Sequence, residues 1–192
     1  WGGGAMAAVG PPRTGQSKNE QHAASDSHKS FSFTRVDVKG GSVGGSVYGA
    51  SRGPSDAFFK ARFADYNITY DKTKYATDIW SDVSVTGGTI GDNVYGGGQG
   101  GIVKESTTVS LTGGIIAHDA YGGGQGTDSI AADVLGNTTT ELNKGKTVSD
   151  NGCIVEKVFG CNDLNGTPKG HVLVHIYATQ HRDSTQIGQK CA

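Results

Sequence analysis

Two glycine-flanked motifs have the spacing of catalytic or nucleotide-binding loops. Residues 40–44 match G-x-S-x-G around Ser42, the nucleophile elbow, which needs a strand-to-helix turn and His and Asp partners. Residues 96–101 match the dinucleotide fingerprint G-x-G-x-x-G, which needs a helix directly after it, but no helical pattern follows in 102–109. Both matches fall in Gly-rich stretches of β-type sequence. The sequence therefore predicts no enzyme.

A third Gly-rich segment, 123–130 (GGQGTDSI), carries a candidate metal ligand. It fits the calcium repeat G-G-x-G-x-D-x-U, with Asp128 as a hard oxygen ligand. That site needs tandem nine-residue copies, and the equivalent segment 97–104 (GGQGGIVK) has no Asp. His171 and His175 share one face of a predicted strand, without a third ligand at zinc spacing. Asp128 is thus the one metal candidate, for calcium, and we expect no cofactor.

The three cysteines, Cys153, Cys161 and Cys191, do not have the spacing of a metal site. An odd number is also not a closed disulfide framework. Cys161 and Cys191 are nearly one repeat apart, so they could lie on neighbouring turns of the chain. Free buried thiols and a stacked Cys161–Cys191 pair both stay open as interpretations.

The segment 55–80 concentrates aromatic side chains. They are Phe58, Phe59, Phe63, Tyr66, Tyr70, Tyr75 and Trp80. Ser55 is placed to cap a short helix over 56–66, with aromatic side chains on one stripe. One interpretation is an insertion that covers the side of the fold, since aromatic stripes are mostly core. The other is an aromatic platform that binds a ligand, with these seven residues as the candidates.

The elements that would position these side chains come from an internal repeat. Copies of a V-x-V-x-G-G … V-Y-G-G-G unit of about 26 residues occupy 36–53, 83–101 and 109–127, and a decayed copy occupies 134–166. Partial copies occupy 1–10 and 171–180, and the polar stretch 11–30 and the aromatic insertion 55–80 interrupt the series. We expect one segment of a longer array, with the insertions as loops on one face.

Each copy has the pattern of short strands joined by tight corners. Alternation puts Val83 and Val85 on one face of a strand. The following pair Gly87–Gly88 permits positive φ and predicts a sharp corner before a second strand with Ile90 inward. One turn of chain cannot bury its apolar face alone, whereas stacked turns can. The predicted fold class is all-β: a single-stranded right-handed parallel β-helix, or β-solenoid, with variable loop insertions.

Stacking of the copies would place like residues above one another. The predicted structural ladders are an aromatic one, Tyr48, Tyr95, Tyr121 and Phe159, and an amide one, Gln99 and Gln125. Each aromatic pair is worth ~0.5–1.5 kcal/mol beyond its buried area, and stacked amides add hydrogen bonds. We therefore interpret V-Y-G-G-G as a stacking corner and not as a ligand loop.

Composition excludes several partner classes. The formal net charge is −1 and no basic stripe is present, so neither nucleic acid nor an anionic membrane is an expected partner. No apolar run reaches the ~18 residues of a membrane span. The first residues lack the pattern of a signal peptide, so an export signal would lie outside this chain.

The units VTGGTIGDNVYGGGQGG, VSLTGGIIAHDAYGGGQG and VFGCNDLNGTPKGHVLVHIYATQ resemble the very long, Gly-rich repeat surface proteins of gut Bacteroidetes. The resemblance covers most of 36–180 and is weak in 11–30 and 55–80. It implies an extracellular or cell-surface β-solenoid fibre or adhesin. Gln99 and Gln125 stand where that family often has Asn.

Three functional hypotheses follow. The first is a structural or adhesive segment of a bacterial surface or secreted β-solenoid, whose partner would be a host or environmental glycan or protein. The second is a carbohydrate-binding or carbohydrate-cleaving β-helix; two carboxylates about 5–10 Å apart on one sheet face would favour cleavage. The third is an extracellular filament subunit that self-associates end to end through open strand edges.

Overall fold

The computed structural model describes residues 2, 33–53, 76–147 and 150–179. These ranges contain strands and no helix. The strands are β1 (Phe33–Val38), β2 (Ser42–Val43), β3 (Val47–Tyr48), β4 (Trp80–Ile90), β5 (Val94–Tyr95), β6 (Thr107–Ile116), β7 (Ala120–Tyr121), β8 (Thr138–Leu142), β9 (Val158–Phe159) and β10 (Val172–Ile176). Outside the described residues lie the polar loop 11–30, the helix expected over 56–66 and, apart from Gly2, the partial repeat 1–10.

The strands form two sheets in which every neighbouring pair is parallel. The first sheet has the order β1-β4-β6-β8-β10, and β2 also pairs with β4. The second has the order β3-β5-β7-β9. Both orders follow the chain, because successive repeats supply successive strands. The prediction of an all-β chain with parallel strands is therefore confirmed for the described residues.

The register keeps equivalent residues of the repeats side by side. Val36, Val83 and Val109 pair across β1, β4 and β6, and Thr140 continues this row in β8. Because strand side chains alternate between faces, this register superposes the inward faces of all four strands. The burial of Val83 and Val109, next to half-exposed neighbours, is the expected result.

The glycine pair of the repeat bends its strand without ending it. Both β4 and β6 run unbroken through their pairs, Gly87–Gly88 and Gly113–Gly114. The register between them shifts near Thr86, as at a β-bulge, and Gly88 and Gly114 have φ of 86° and 85°. The predicted separate second strand is thus wrong for these two repeats, whereas the positive φ predicted at the glycine pair is present at Gly88 and Gly114. Positive φ lets glycine absorb the extra residue, and pairing resumes at Thr89; in the first repeat the corresponding strands, β1 and β2, are separate.

One apolar core draws its side chains from both sheets. Its buried members are Val38, Val47, Val83, Val85, Ile90, Val94, Val109, Leu111, Ile116, Ala120, Leu142, Cys153 and Val155. In the fourth repeat Thr140 replaces the valine and remains fully buried, because its hydroxyl donates to the Phe159 carbonyl at 3.2 Å. The decayed copy therefore keeps the core position and satisfies the new polar atom.

Two rows of single bridges run beside the sheets. The row Thr77, Val103, Val134 and Pro168 is pairwise parallel, and Val103 and Val134 form a second small core with Ala50. The other row is Arg52, Gln99, Gln125 and Asp163. The second row takes one residue from each repeat, four positions after its aromatic residue, whereas Thr77, Val103 and Pro168 of the first row lie in the segments between the repeats or after them.

Candidate functional site

Four aromatic rings, one from each repeat, stack along the second sheet. The centroid distances are 4.8 Å for Tyr48–Tyr95, 5.1 Å for Tyr95–Tyr121 and 4.9 Å for Tyr121–Phe159, with interplanar angles of 7°, 11° and 13°. The parallel register of β3, β5, β7 and β9 imposes this spacing, which matches the ~4.8 Å between paired strands. The rings of Tyr95 and Tyr121 are covered on both faces, so neither face is open to stack on a sugar.

The backbone beside this ladder repeats as regularly as the rings. The glycine after each aromatic residue donates its N–H to the aromatic carbonyl of the next repeat: Gly49 to Tyr95, Gly96 to Tyr121 and Gly122 to Phe159, all at 2.9 Å. Gly2 donates to the Tyr48 carbonyl at 2.8 Å in the same way. The backbone at Gly2 therefore pairs with the first described repeat at the edge of the second sheet.

The hydroxyls of the ladder enter a network of amides and one carboxylate. Tyr48 donates to Gln125 Oε1 at 2.6 Å, and Tyr95 donates to Asp163 Oδ2 at 2.8 Å. Gln125 Nε2 donates in turn to the Tyr95 hydroxyl at 3.0 Å, and Asn93 Nδ2 donates to the same oxygen at 3.1 Å. The Tyr95 hydroxyl thus has three partners, which fixes both its ring and the Gln125 side chain.

The amide row links a cation to an anion. Arg52 stands at one end of the row and Asp163 at the other, with Gln99 and Gln125 between them. Gln99 Nε2 donates to Gln125 Oε1 at 3.3 Å, and Gln125 Nε2 also reaches Asp163 at 3.4 Å. Asp163 is a functional part of this network that sequence reasoning missed. The sequence feature that could have identified Asp163 is its alignment with the two glutamines. The divergence of the fourth repeat from the other copies makes this alignment hard to see.

The network holds the tyrosines in their neutral form. Burial raises the pKa of Tyr95 far above its usual value, and the hydrogen bond and charge of Asp163 raise it further. Burial also raises the pKa of Tyr48, and burial with the nearby charges of Asp163 and Asp119 raises the pKa of Tyr121 to about 12. These phenols therefore act as hydrogen-bond donors, and an ionised, nucleophilic phenolate is disfavoured.

A column of buried hydroxyls in the first sheet donates hydrogen bonds to the glycine corners that follow the strands of the second sheet. The bonds are Thr34 to the Gly49 carbonyl at 2.6 Å, Ser81 to Gly96 at 2.6 Å, Thr107 to Gly122 at 2.5 Å and Thr138 to Gly160 at 2.5 Å. Each bond satisfies a carbonyl where the chain turns between the sheets. Sequence reasoning missed this column as well. Its signal was the constant spacing of 15 residues between hydroxyl and glycine in the first three repeats.

The outward face of the first sheet carries hydroxyls and paired charges. Ser84 and Ser110 are adjacent in register between Asp37 and Glu141. The Asp37 carboxylate accepts from Arg35 Nε at 3.0 Å on both oxygens, and Glu141 accepts from Lys144 at 2.8 Å. Asp37 and Glu141 are three strands apart, or about 14 Å, which exceeds the separation of a glycosidase pair.

The other predicted candidates are scattered or lie outside the described residues. Phe58, Phe59, Phe63, Tyr66, Tyr70 and Tyr75 are outside them; Trp80 begins β4 and is half-buried. Asp128 is exposed, and the described residues contain no group of three or more His, Cys, Asp or Glu that could hold a metal ion. Ser42 lies in β2, and Gly96–Gly101 is followed by a bridge and β6, so neither motif has the helix that its chemistry needs.

The two described cysteines are free and occupy different surroundings. Cys153 is fully buried in the core, and burial raises its thiol pKa to about 12. Cys161 is exposed, at the corner that follows β9. Cys191 lies outside the described residues, so a Cys161–Cys191 pair stays a prediction. The Cys153 thiol is placed as a small apolar group, and its raised pKa makes it a poor nucleophile.

Comparison with known proteins adds no family: no protein-family model matches the chain, and no curated protein or solved structure is detectably similar to it. Among the described residues no helix is long and apolar enough to cross a lipid bilayer.

Proposed function

We propose that the chain is a structural segment of a β-solenoid, a single-stranded right-handed parallel β-helix that works as a stalk or binding surface. The observation that carries the proposal is the four-membered aromatic ladder, in register with the parallel strands of the second sheet. A ladder of this kind forms when successive turns of chain stack with one fixed translation. We call each such turn, with its strand from each sheet, a coil.

Side chains of the aromatic ladder form hydrogen bonds between coils. The Tyr48 hydroxyl bonds Gln125, two coils further along, and Tyr95 bonds Asp163 in the same manner. Contacts between neighbours are the source of stability in repeat proteins, because one coil buries too little apolar surface alone. This arrangement favours a mechanical role over a catalytic one.

The proposed location is the bacterial cell surface or the extracellular space. Support comes from the resemblance of the V-Y-G-G-G units to Gly-rich surface repeats. An antibody raised against the 192-residue chain should label intact cells that produce the protein. Labelling that appears only after the cells are permeabilised would contradict the proposal.

An adhesive role would place the binding surface in the aromatic insertion 55–80, since the described tyrosine faces are used in stacking. A screen of the purified chain against glycans and extracellular host proteins tests this. The matched variant replaces 55–75 by a Gly-Ser linker of equal length and keeps the repeats. Binding by the parent and not by the variant supports adhesion, and no binding by either leaves the purely structural role.

A carbohydrate-cleaving role has less support. On the outward face of the first sheet, Asp37 is bound by Arg35 and Glu141 by Lys144. The two carboxylates are about 14 Å apart, further than the carboxylate pair of a glycosidase. Release of reducing sugar from polysaccharides by the purified chain would overturn this preference.

A further inference from the structure

Among the tyrosines of the ladder, Tyr95 has the best placed acceptor for its phenolic proton. It donates to the Asp163 carboxylate at 2.8 Å, whereas Tyr48 donates to the amide oxygen of Gln125 at 2.6 Å. Tyr121 reaches a carboxylate only at 3.3 Å, beyond the usual range of an O–H···O hydrogen bond. A carboxylate is a base that can take a proton, and a neutral amide is not. Of the three ladder hydroxyls, that of Tyr95 alone combines a base with a short hydrogen bond.

The surroundings of the Tyr95 oxygen also fit an oxidised form of the side chain. Gln125 Nε2 and Asn93 Nδ2 donate to this oxygen at 3.0 Å and 3.1 Å. These bonds do not use the phenolic proton, so a phenoxyl radical at this position keeps both of them. The negative charge of Asp163 stabilises the positive charge that the ring acquires as an electron leaves. If the proton and the electron leave together, the site never forms the phenolate that burial disfavours.

The ring of Tyr95 is shielded from solvent but in contact with a ring that reaches the surface. Tyr95 is fully buried between the nearly parallel rings of Tyr48 and Tyr121, at centroid distances of 4.8 Å and 5.1 Å. Tyr121 is partly exposed. An oxidant too large to enter the core can therefore take an electron from Tyr121, and the contact between the two π-systems lets Tyr95 replace that electron. Phe159 ends the stack with a ring that has no hydroxyl proton to release.

We propose that Tyr95 is a redox-active tyrosine, which loses one electron through Tyr121 to an external one-electron oxidant and its phenolic proton to Asp163. The O–H bond of Tyr95 breaks, an O–H bond forms at Asp163 Oδ2, and the oxidant is reduced by one electron. The products are a neutral phenoxyl radical and a neutral carboxylic acid, so the charge of the pair rises by one as the electron leaves. The ladder then confines oxidation to a buried site, in addition to its structural role.

Flash oxidation of the full chain by a ruthenium tris-bipyridine complex with a sacrificial electron acceptor tests the site. Electron paramagnetic resonance should detect a long-lived tyrosyl radical in the parent chain. Tyr95→Phe should lose this long-lived component, whatever radicals form on other tyrosines. A parent chain without the long-lived radical, or a Tyr95→Phe variant that keeps it, overturns the proposal.

The matched control is Tyr177→Phe, because Tyr177 also donates to a carboxylate, that of Glu141, at 3.3 Å. Tyr177 is 49% exposed and lies outside the ladder, so its loss should leave the long-lived radical unchanged. Loss of the radical in this control would place it at Tyr177 and contradict the assignment to Tyr95. Circular dichroism establishes that each variant is folded.

Two further variants test the proton acceptor and the electron route, also if Tyr95→Phe fails to fold. Asp163→Asn keeps an oxygen that accepts the hydrogen bond but removes the base, so the yield of the long-lived radical should fall. Tyr121→Phe removes the partly exposed phenol, so the same radical should form more slowly. An unchanged yield in the first variant or an unchanged rate in the second overturns the proposal. An intact ladder without a radical at Tyr95 leaves the proposed structural function standing.

Discussion

At Tyr95 the aromatic ladder and the hydrogen-bond network meet in one side chain. Its ring lies between those of Tyr48 and Tyr121, and its hydroxyl has Asp163 and Gln125 among its partners. It is fully buried, so water cannot replace a lost partner. The hydroxyl should therefore contribute as much to stability as the stacking of the ring.

The first prediction measures the contribution of the hydroxyl alone. Tyr95→Phe keeps the ring and should lower the free energy of unfolding by about 1–3 kcal/mol, because it removes three hydrogen bonds, one of them to the Asp163 carboxylate. The control is Tyr121→Phe, whose hydroxyl has one longer bond of 3.3 Å to Asp119 and should lose less than about 1 kcal/mol. Urea denaturation of both variants measures the difference. Equal losses would show that the network contributes little.

The buried hydroxyl column gives a second test. Thr107→Val keeps the shape of the side chain but leaves the Gly122 carbonyl without its donor, and should cost about 1–3 kcal/mol. Thr139→Val, on the half-exposed side of β8, is the control and should change stability by less than about 0.5 kcal/mol. If neither substitution changes the free energy of unfolding in chemical denaturation, the hydroxyl column does not stabilise the contact between the two sheets.

Alkaline pH should destabilise the fold through the ladder. The pKa of Tyr121 is raised to about 12 and that of Tyr95 is raised further, so the folded state favours neutral phenols. The stabilisation is complete below the unfolded phenol pKa of about 10 and is lost as the pH rises through the folded values. Melting temperatures between pH 8 and 12 should fall more steeply for the parent than for a Tyr95→Phe, Tyr121→Phe variant. Identical slopes would contradict this origin.

The partners in this network could not be predicted from the sequence. The positions of the tyrosines and glutamines in the repeat are visible, but the bond from Tyr48 skips Gln99 and goes to Gln125. Which hydroxyl meets which amide depends on side-chain angles between coils, and no sequence pattern sets these angles. Asp163 lies in the decayed repeat, where the four-residue spacing from the aromatic position is kept but the residue type changes from Gln to Asp.

Among the elements, the strands β4 and β6 were the most predictable. Alternation of Val83 and Val85 with polar residues predicts a strand with one inward face, and both valines are buried. The continuation of the strand beyond Gly87–Gly88 was not predictable, because a glycine pair is equally compatible with a corner and with a bulge. The neighbouring strand decides between them by offering hydrogen bonds to the bulged chain.

That bulge makes the second glycine of the pair irreplaceable. Gly114→Ala should destabilise by about 2–4 kcal/mol, because φ of 85° is unfavourable for alanine and an added Cβ would stand 2.8 Å from the Gly88 carbonyl oxygen. Gly45→Ala is the matched control, since its Cβ would meet no atom within 4 Å. Thermal unfolding should leave the control near the parent value. An unchanged Gly114→Ala variant would mean that the bulge is not formed.

On the scale of the whole molecule, the proposed solenoid depends on one translation that repeats from coil to coil. The rows across the first sheet place Arg35, Asp82, Thr108 and Thr139 side by side on four successive strands. Composition and repeat pattern were enough to predict parallel strands, because identical units stack most simply in register. The insertion at 55–80 does not disturb this row, since β4 follows β1 directly in the sheet.

The distance between two spin labels, one at the position of Arg35 and one at the position of Thr139, tests this stack most directly. Both residues are on the outward side of the sheet, and the labels would replace them as Arg35→Cys and Thr139→Cys with Cys161 and Cys191 changed to serine. Cys153 remains, because burial raises its pKa to about 12 and protects it from labelling at neutral pH. The two labelled positions are three strand steps apart, which predicts a distance near about 14 Å. The distance distribution should be narrow, apart from the width that the label arms add. A broad distribution, or one centred at a clearly longer distance, would contradict the stacked solenoid.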